Sequence, residues 1–264
     1  MALDVALKAT SFFLKSNSSS YSLIRFFGGE PLLEFPLIKK ITTAVKKKTK
    51  KIRFDLTTNG TLLNTAIVDF LTDNKEIGLW WSPHRISPGV KKNLLRKLPN
   101  LGINMLITSH NVKYFAEDFL RFTCNGFKKF NFLPAYFCAW KEENLQILAH
   151  EFDVVASHIK TFSQRGQSLE VKNIKAYAAT PLFNTGLVVD CNGDIFHNNI
   201  ILSKYFAHLR PEFKIGHVDH TNKIDLKRTP DFYFLFEKIL NANVFKSTIR
   251  VDHLLTRFVA LLEN

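Results

Sequence analysis

A strand that stops at two glycines and a carboxylate is the part of this sequence best suited to holding a ligand. Residues Ile24 to Pro31 read Ile-Arg-Phe-Phe-Gly-Gly-Glu-Pro. Gly28 and Gly29 lack Cβ atoms, so their backbone amides can approach a bound group closely. Glu30 adds a negative charge that suits an ammonium group, and Pro31 favours the first position of a helix. The pattern predicts a strand, a ligand-facing turn and a helix, although a plain tight turn would have the same composition.

A second unit of the same kind follows. Residues Lys51 to Asn64 form an apolar segment that ends in Thr-Thr-Asn-Gly, and Asn64 is placed to cap the next helix. In parallel β/α folds such turns lie at the carboxyl ends of the strands, where ligand sites are built. Two turns of this composition favour a ligand site over an isolated tight turn.

These two units resemble the radical S-adenosylmethionine (radical SAM) enzymes, especially the branch with a SPASM or twitch C-terminal extension. Phe26–Leu33 and Thr57–Leu63 are similar to that family's second and third strand signatures, in the same order and spacing. The resemblance implies S-adenosylmethionine as cofactor, a four-iron four-sulfur cluster, and the modification of a peptide or protein substrate. It also implies a set of cofactor-binding residues: Gly28, Gly29, Glu30, Pro31, Thr58, Asn59 and Ser82.

The cysteine content departs from this family. Its Cys-x3-Cys-x2-Cys loop, which follows the first strand, is absent, and residues 1–15 already have the pattern of the first helix. The three cysteines Cys124, Cys138 and Cys191 are too far apart in sequence to share one ligand loop. We therefore expect this chain alone to bind no such cluster. The loop is either lost or encoded upstream of an incorrectly chosen start.

The fourth strand of the family pattern also differs. Trp80 stands where the family has a serine, and Ser82 stands where it has an aspartate. The adjacent Trp80 and Trp81 could stack on an aromatic ligand. Packing of one against the core and of the other against a helix is the preferred interpretation.

The spacing of apolar residues predicts an α/β fold. Five strands between Tyr21 and Leu133 alternate with helices, which fits a partial (β/α) barrel that lacks its first strand. An open doubly wound sheet is the alternative. A long amphipathic helix over Trp140–Phe162 completes this part, and we place the domain within residues 1–165.

Residues 166–264 are predicted to form a smaller extension. A β-hairpin is predicted over Leu187–His197, with a tight primed turn in which Asn192 and Gly193 both take positive φ. It precedes two C-terminal helices and is similar to the start of a twitch or SPASM extension. His197 stands where that extension carries a cluster-binding cysteine. A metal site made of His197, His217, Asp219 and His220 is a weaker interpretation, because their spacing lacks a paired i, i+4 arrangement.

Composition sets the remaining expectations. The formal net charge is +13, and Lys46 to Lys51 is its densest run, but that run follows a helix and no nucleic-acid-binding signature accompanies it. The cysteines form no disulfide framework, and no apolar run is long enough to cross a membrane. We expect a cytoplasmic protein whose partner is a peptide or protein substrate, with neither a membrane nor a nucleic acid as partner.

Overall fold

The computed structural model describes most of the chain. The described residues are 1–16, 22–83, 92–95, 97–98, 101–174, 186–203, 205–221, 224 and 232–263. Tyr21, where the series of predicted strands begins, lies outside them.

Strands and helices alternate as the sequence predicts. The strands are β1 Ser22–Phe26, β2 Ile52–Thr58, β3 Ile77–Trp81, β4 Leu101–Ile107, β5 Lys129–Pro134, β6 Glu170–Val171, β7 Val188–Val189, β8 Asp194–Phe196 and β9 Lys214–His217. The helices are α1 Leu3–Ser16, α2 Phe35–Lys48, α3 Thr65–Asp73, α4 Lys92–Leu95, α5 Phe115–Cys124, α6 Glu142–Gln164, α7 Arg210–Phe213, α8 Phe232–Ile239 and α9 Ala242–Glu263.

The six strands β1 to β6 form a parallel sheet in chain order, and β7 to β9 form a small antiparallel sheet. The five predicted strands are confirmed, and β6 adds a short sixth strand that pairs with β5. β6 lies beyond the predicted boundary at residue 165, and that boundary stays a prediction. The contacts divide the chain into two discontinuous units. The first is Met1–Gly102, Gly186–Ile201 and Leu209–Thr229, and the second is Ile103–Thr185, Leu202–His208 and Pro230–Asn264.

In the first unit, one face of the sheet is buried beneath apolar residues. Phe54 and Leu56 on β2 are fully buried, and Phe26 of β1 stacks on Phe54 with ring centroids 5.8 Å apart. The opposite face carries charged side chains on β1 and β2: the register pairs Arg25 with Asp55, and the two side chains form an ion pair at 3.6 Å. We call this the Arg25 face.

In the second unit, α6 and α9 pack together beside β5. Phe152 of α6 and Phe258 of α9 stack with centroids 4.7 Å apart, and Phe258 also meets Phe132 of β5 edge-on. The apolar stripe predicted for α6 is therefore core, as its spacing indicates.

Two local predictions are wrong in detail. Pro31 begins a 3-10 helix, Pro31–Glu34, and the α-helix starts only at Phe35. Pro36 explains this, because it has no N–H to give to the carbonyl of Leu32 and its ring would clash there, so an α-helix beginning at Pro31 could not continue through it.

The hairpin turn is the second correction. The loop contains three residues, Cys191 to Gly193, and Asp190 N–H donates to the Asp194 carbonyl at 3.0 Å. Gly193 has φ 93°, whereas the φ of Asn192 is not positive. The Asp190 carboxylate accepts from the amides of Asn192 and Asp194, which holds the loop in this wider form.

A half-buried tyrosine–aspartate pair in the second unit gives a pH-dependent prediction. Tyr136 Oη donates to Asp252 Oδ1 at 3.1 Å. Burial holds the pKa of Asp252 above its ordinary value of 3.8, against a smaller opposing effect of the Tyr136 hydrogen bond. As pH rises above 3.8, the Asp252 carboxyl ionises in the unfolded chain before it ionises in the folded one. The free energy of unfolding therefore falls between pH 3.8 and the raised pKa of Asp252, and it stays at the lower value at higher pH.

Asp252→Asn should therefore raise the Tm at pH 7 by a few degrees, since the amide oxygen still accepts from Tyr136 without a buried charge. The gain should vanish below about pH 3, where the carboxyl of the wild-type residue is largely protonated in both states. Differential scanning calorimetry at several pH values measures this. The exposed Asp69→Asn is the matched control, and an equal Tm for Asp252→Asn and wild type at pH 7 would contradict the prediction.

Candidate functional site

The Glu30 carboxylate joins the two predicted turns. Its Oε1 accepts from the Leu32 amide at 3.1 Å, which caps the 3-10 helix, and from Thr58 Oγ1 at 2.8 Å. Its Oε2 accepts from the Asn59 amide at 2.9 Å. Three donors from the chain itself therefore fix the position of this charge.

The Thr-Thr-Asn-Gly turn is organised around the same contacts. The buried Thr58 Oγ1 also accepts from the Gly60 amide at 3.0 Å, and Gly60 has φ 83°, a conformation that glycine adopts readily. Asn59 Oδ1 accepts from the amide and the hydroxyl of Thr61 at 2.9 and 2.7 Å. The Asn59 side chain is thus used within the turn.

The end of β3 is tied to these turns. The Ser82 amide donates to the Thr58 carbonyl at 2.8 Å, and Trp81 Nε1 donates to the Asn59 carbonyl at 3.1 Å. The structure therefore brings Glu30, Thr58, Asn59 and Ser82 together at the carboxyl ends of three neighbouring strands. Their role in binding a cofactor stays a prediction.

The glycines leave open space beside this constellation. A Cβ built on Gly28 or Gly29 would meet no atom within 4 Å, and both residues are exposed. Phe27, immediately before them, has 60% of its surface exposed. The structure therefore places an exposed backbone next to Glu30, as a ligand-facing turn requires.

Trp80 fills the Arg25 face of β3. It is only 8% exposed, and a Cβ built on Gly102 of β4 would lie 2.5 Å from two carbons of its ring. The indole therefore lies flat against a strand backbone that has no side chain at this point. Both tryptophans are buried, which agrees with the core interpretation. The predicted packing of one of them against a helix stays a prediction.

The three cysteines lie on three different elements. Cys124 is exposed at the end of α5, Cys138 follows β5, and Cys191 is exposed in the loop between β7 and β8. Burial raises the pKa of the Cys138 thiol, which disfavours the thiolate that a metal needs. In the parts of the chain that the structure describes, no group of three or more His, Cys, Asp or Glu side chains is arranged to hold a metal ion. That this chain alone binds no four-iron four-sulfur cluster stays a prediction.

The weaker metal interpretation, with His197, His217, Asp219 and His220 as ligands, is not supported by the described residues. His217 Nδ1 lies 3.4 Å from Asp219 Oδ2, and the His217 and His220 rings are 6.4 Å apart. Asp219 is already engaged by Lys8, whose Nζ donates to it at 2.6 Å. The Asp219 carboxylate is therefore used in an ion pair with Lys8 of α1, within the first unit.

Two features near the sheet could not be predicted from the sequence: the backbone conformation of Phe137 and the contact between Trp80 and Gly102. Phe137, just after β5, has φ 58°, and its ring packs against Phe206 and Phe236. Trp80 and Gly102 meet across two strands, so the spacing of neither residue along the chain reveals the contact. The only sequence feature that could have indicated this contact is a bulky residue, Trp80, on one strand and a residue without a side chain, Gly102, on the next.

Solved structures of other proteins share this architecture. An anaerobic sulfatase-maturating enzyme, anSMEcpe, crystallised with bound AdoMet, superposes with a TM-score of 0.70 at 14% identity, covering 100% of this chain and 90% of that one. The same enzyme with AdoMet and the Cp18Cys peptide gives a TM-score of 0.68, with the same identity and coverage. The chain has the fold of radical SAM enzymes.

A second solved relative shares the fold over part of its length. Streptococcus suis SuiB, bound to its precursor peptide SuiA, has a TM-score of 0.55 and 14% identity, and the match covers 95% of this chain and 60% of SuiB. No protein family model and no curated protein sequence matches the chain. Among the described helices, none has the length and apolar character needed to cross a membrane.

Proposed function

We propose that this chain is a divergent radical SAM-like protein of the peptide-modifying type that keeps the cofactor-side turns and, by itself, does not initiate radical chemistry. The observation that carries the proposal is the Glu30 carboxylate, which links the Gly-Gly-Glu-Pro and Thr-Thr-Asn-Gly turns while the three cysteines lie on separate elements. The small antiparallel sheet is proposed to be the counterpart of a twitch or SPASM extension. The free cysteines suit the reducing conditions of the cytoplasm.

The residues of the site are partly suited to S-adenosylmethionine. The exposed backbone of Gly28 and Gly29 and the acceptor position left on Glu30 Oε2 would hold the amino group of its methionine end. An iron–sulfur cluster would supply the electron for radical formation, and the described residues include no group of three or more His, Cys, Asp or Glu side chains arranged to hold a metal ion. The site therefore retains binding groups without the redox partner.

Binding of S-adenosylmethionine should be weak. We expect a Kd of about 0.1–1 mM, because only backbone groups, one carboxylate and the pocket walls contribute. Glu30→Ala should weaken it about tenfold, the value of one hydrogen bond to a charged group. Isothermal titration calorimetry measures both.

The control is Glu34→Ala, which removes an exposed carboxylate from the same 3-10 helix. Circular dichroism of each variant shows whether the turn region has kept its fold. Equal heats for wild type and Glu30→Ala would remove Glu30 from the site, and no heat with the wild type would overturn retained cofactor binding.

A non-catalytic peptide- or partner-binding barrel is the second candidate. An open groove of about 380 Å³ lies between the 3-10 helix and the start of α3, and Leu33 at its rim is 70% exposed. An exposed apolar groove is typical of a binding surface. Its lining residues are Leu32, Leu33, Phe35, Leu62, Asn64, Ala66 and Ile67.

A further inference from the structure

Trp81 is the last residue of β3, and its side chain is buried. Its Nε1–H donates to the Asn59 carbonyl at 3.1 Å. The register pairs Trp81 with Thr58, and the next amide along the chain, that of Ser82, donates to the Thr58 carbonyl at 2.8 Å. The end of β3 therefore holds two successive carbonyl groups of the turn, one through its backbone and one through an indole side chain.

The hydrogen bond from Trp81 is the first of three that lead to Glu30. The Asn59 carbonyl and the Gly60 amide belong to one peptide group, and that amide donates to Thr58 Oγ1 at 3.0 Å. The Thr58 hydroxyl in turn donates to Glu30 Oε1 at 2.8 Å. A continuous series of hydrogen bonds therefore runs from the indole of Trp81 to the carboxylate of Glu30.

The chemistry of the four groups fixes the direction of every bond in this series. An indole N–H can only donate and an ionised carboxylate can only accept, whereas a peptide group and a hydroxyl do both. The donors therefore all point toward Glu30, and hydrogen bonds aligned in this way strengthen one another away from water. Thr58 is completely buried, so water has little access to the middle of the series.

Gly60 makes this series depend on Trp81. Its φ of 83° lies in the left-handed region, and glycine adopts positive and negative φ about equally well. The peptide group between Asn59 and Gly60 could therefore rotate if its carbonyl were not held. Rotation would turn the Gly60 N–H away from Thr58 Oγ1, and the Thr58 hydroxyl would then be free to turn away from Glu30.

We propose that Trp81 is a positioning residue for the ligand site at Glu30. Its N–H holds the Asn59–Gly60 peptide group, the peptide group holds the Thr58 hydroxyl, and the hydroxyl holds Oε1 of the carboxylate. With Oε1 fixed and Oε2 bonded to the Asn59 amide, the remaining acceptor position on Oε2 is preorganised for a cationic amino group. This inference rests on the proposed function, because it takes that amino group to be the one of S-adenosylmethionine.

Isothermal titration calorimetry of Trp81→Phe tests the effect on ligand binding. Phenylalanine keeps an aromatic ring in the buried position and removes the N–H, so S-adenosylmethionine should bind about fivefold more weakly than to the wild type. Trp140→Phe is the matched control, because both tryptophans are 6% exposed and Trp140 Nε1 also donates to a backbone carbonyl, that of Ala135 at 3.0 Å. That bond lies within the second unit, so its loss should leave the affinity unchanged.

Residue-level hydrogen exchange tests the positioning role without any ligand. In Trp81→Phe the Gly60 amide should exchange about fivefold faster than in the wild type, because the turn opens more often, whereas Trp140→Phe should leave this rate unchanged. Thr58→Val removes the hydroxyl that accepts from the Gly60 amide, so adding Trp81→Phe to it should accelerate Gly60 exchange by less than about twofold. A variant with 3-benzothienylalanine in place of Trp81 keeps the two-ring shape without the N–H, and it replaces Trp81→Phe in both experiments if that variant does not fold.

The proposal is overturned if the variant without the Trp81 N–H binds S-adenosylmethionine like the wild type, or if its Gly60 amide exchanges at the wild-type rate. It is also overturned if Trp81→Phe and Thr58→Val accelerate Gly60 exchange additively, since the two residues would then act separately. The absence of any heat with the wild type would overturn the proposed function, and Gly60 exchange would then decide whether Trp81 holds the turn.

Discussion

Trp80→Ala is expected to destabilise the protein by about 3–5 kcal/mol, because it removes a large buried side chain that lies against a strand backbone. Gly102→Ala should cost about 1–3 kcal/mol for the opposite reason, since the new methyl group would lie 2.5 Å from the Trp80 ring. Urea denaturation gives both values. The double variant should lose less than the sum of the two, because the methyl group of Ala at position 102 occupies part of the space left by the indole.

Gly29→Ala provides the control for this pair. Its new Cβ would have no neighbour within 4 Å, so the change in unfolding free energy should stay within about 0.5 kcal/mol. Additive losses for Trp80→Ala and Gly102→Ala would show that the two residues do not contact each other in solution. A neutral Gly102→Ala would also contradict the packing of Trp80 on β4.

Asn173→Ala is expected to cost about 3–5 kcal/mol. Asn173 is completely buried, its Oδ1 accepts from the Phe132 amide at 2.8 Å, and its Nδ2 donates to the Phe132 carbonyl at 2.9 Å. β6 pairs with Lys129 and Phe130 of β5, and the Asn173 side chain extends that pairing two residues further, to Phe132. The variant leaves two buried backbone groups unsatisfied, each at about 1–3 kcal/mol.

Chemical denaturation compares this variant with Asn243→Ala, which changes an exposed asparagine of α9 and should alter stability by less than about 0.5 kcal/mol. Asn173→Asp should be as damaging as Asn173→Ala, because it loses the donor and directs a carboxylate at the Phe132 carbonyl. A loss below about 1 kcal/mol for Asn173→Ala would mean that water or another group replaces these bonds.

Local sequence patterns predicted most of the sheet because its strands are apolar and its turns have distinctive composition. β3, Ile77–Trp81, is one of the five predicted strands, and Asn64 caps α3 as predicted, through a hydrogen bond from the Ile67 amide at 3.0 Å. β6 escaped prediction because two residues show no periodicity. Its extension by Asn173 joins positions 41 residues apart in sequence, which no local pattern reveals.

The sequence predicted which residues form the candidate site, but it did not predict the hydrogen bonds that the Glu30 carboxylate accepts. The turn residues Glu30, Thr58 and Asn59 meet at one sheet edge, because parallel strands carry their carboxyl ends there. That Glu30 would accept three hydrogen bonds from its own chain was not predictable, since it depends on the distance between two turns. The consequence is a carboxylate with one remaining acceptor position on Oε2, where the sequence had indicated a charge free for an ammonium group.

Anaerobic reconstitution with iron and sulfide tests the central claim most directly. The account predicts that this chain binds no stoichiometric cluster and releases no 5′-deoxyadenosine from S-adenosylmethionine under reducing conditions, because Cys124, Cys138 and Cys191 lie on separate elements. About four irons per monomer with the broad absorbance of a cluster, or release of 5′-deoxyadenosine, would contradict it, since either result requires three thiolates at one point.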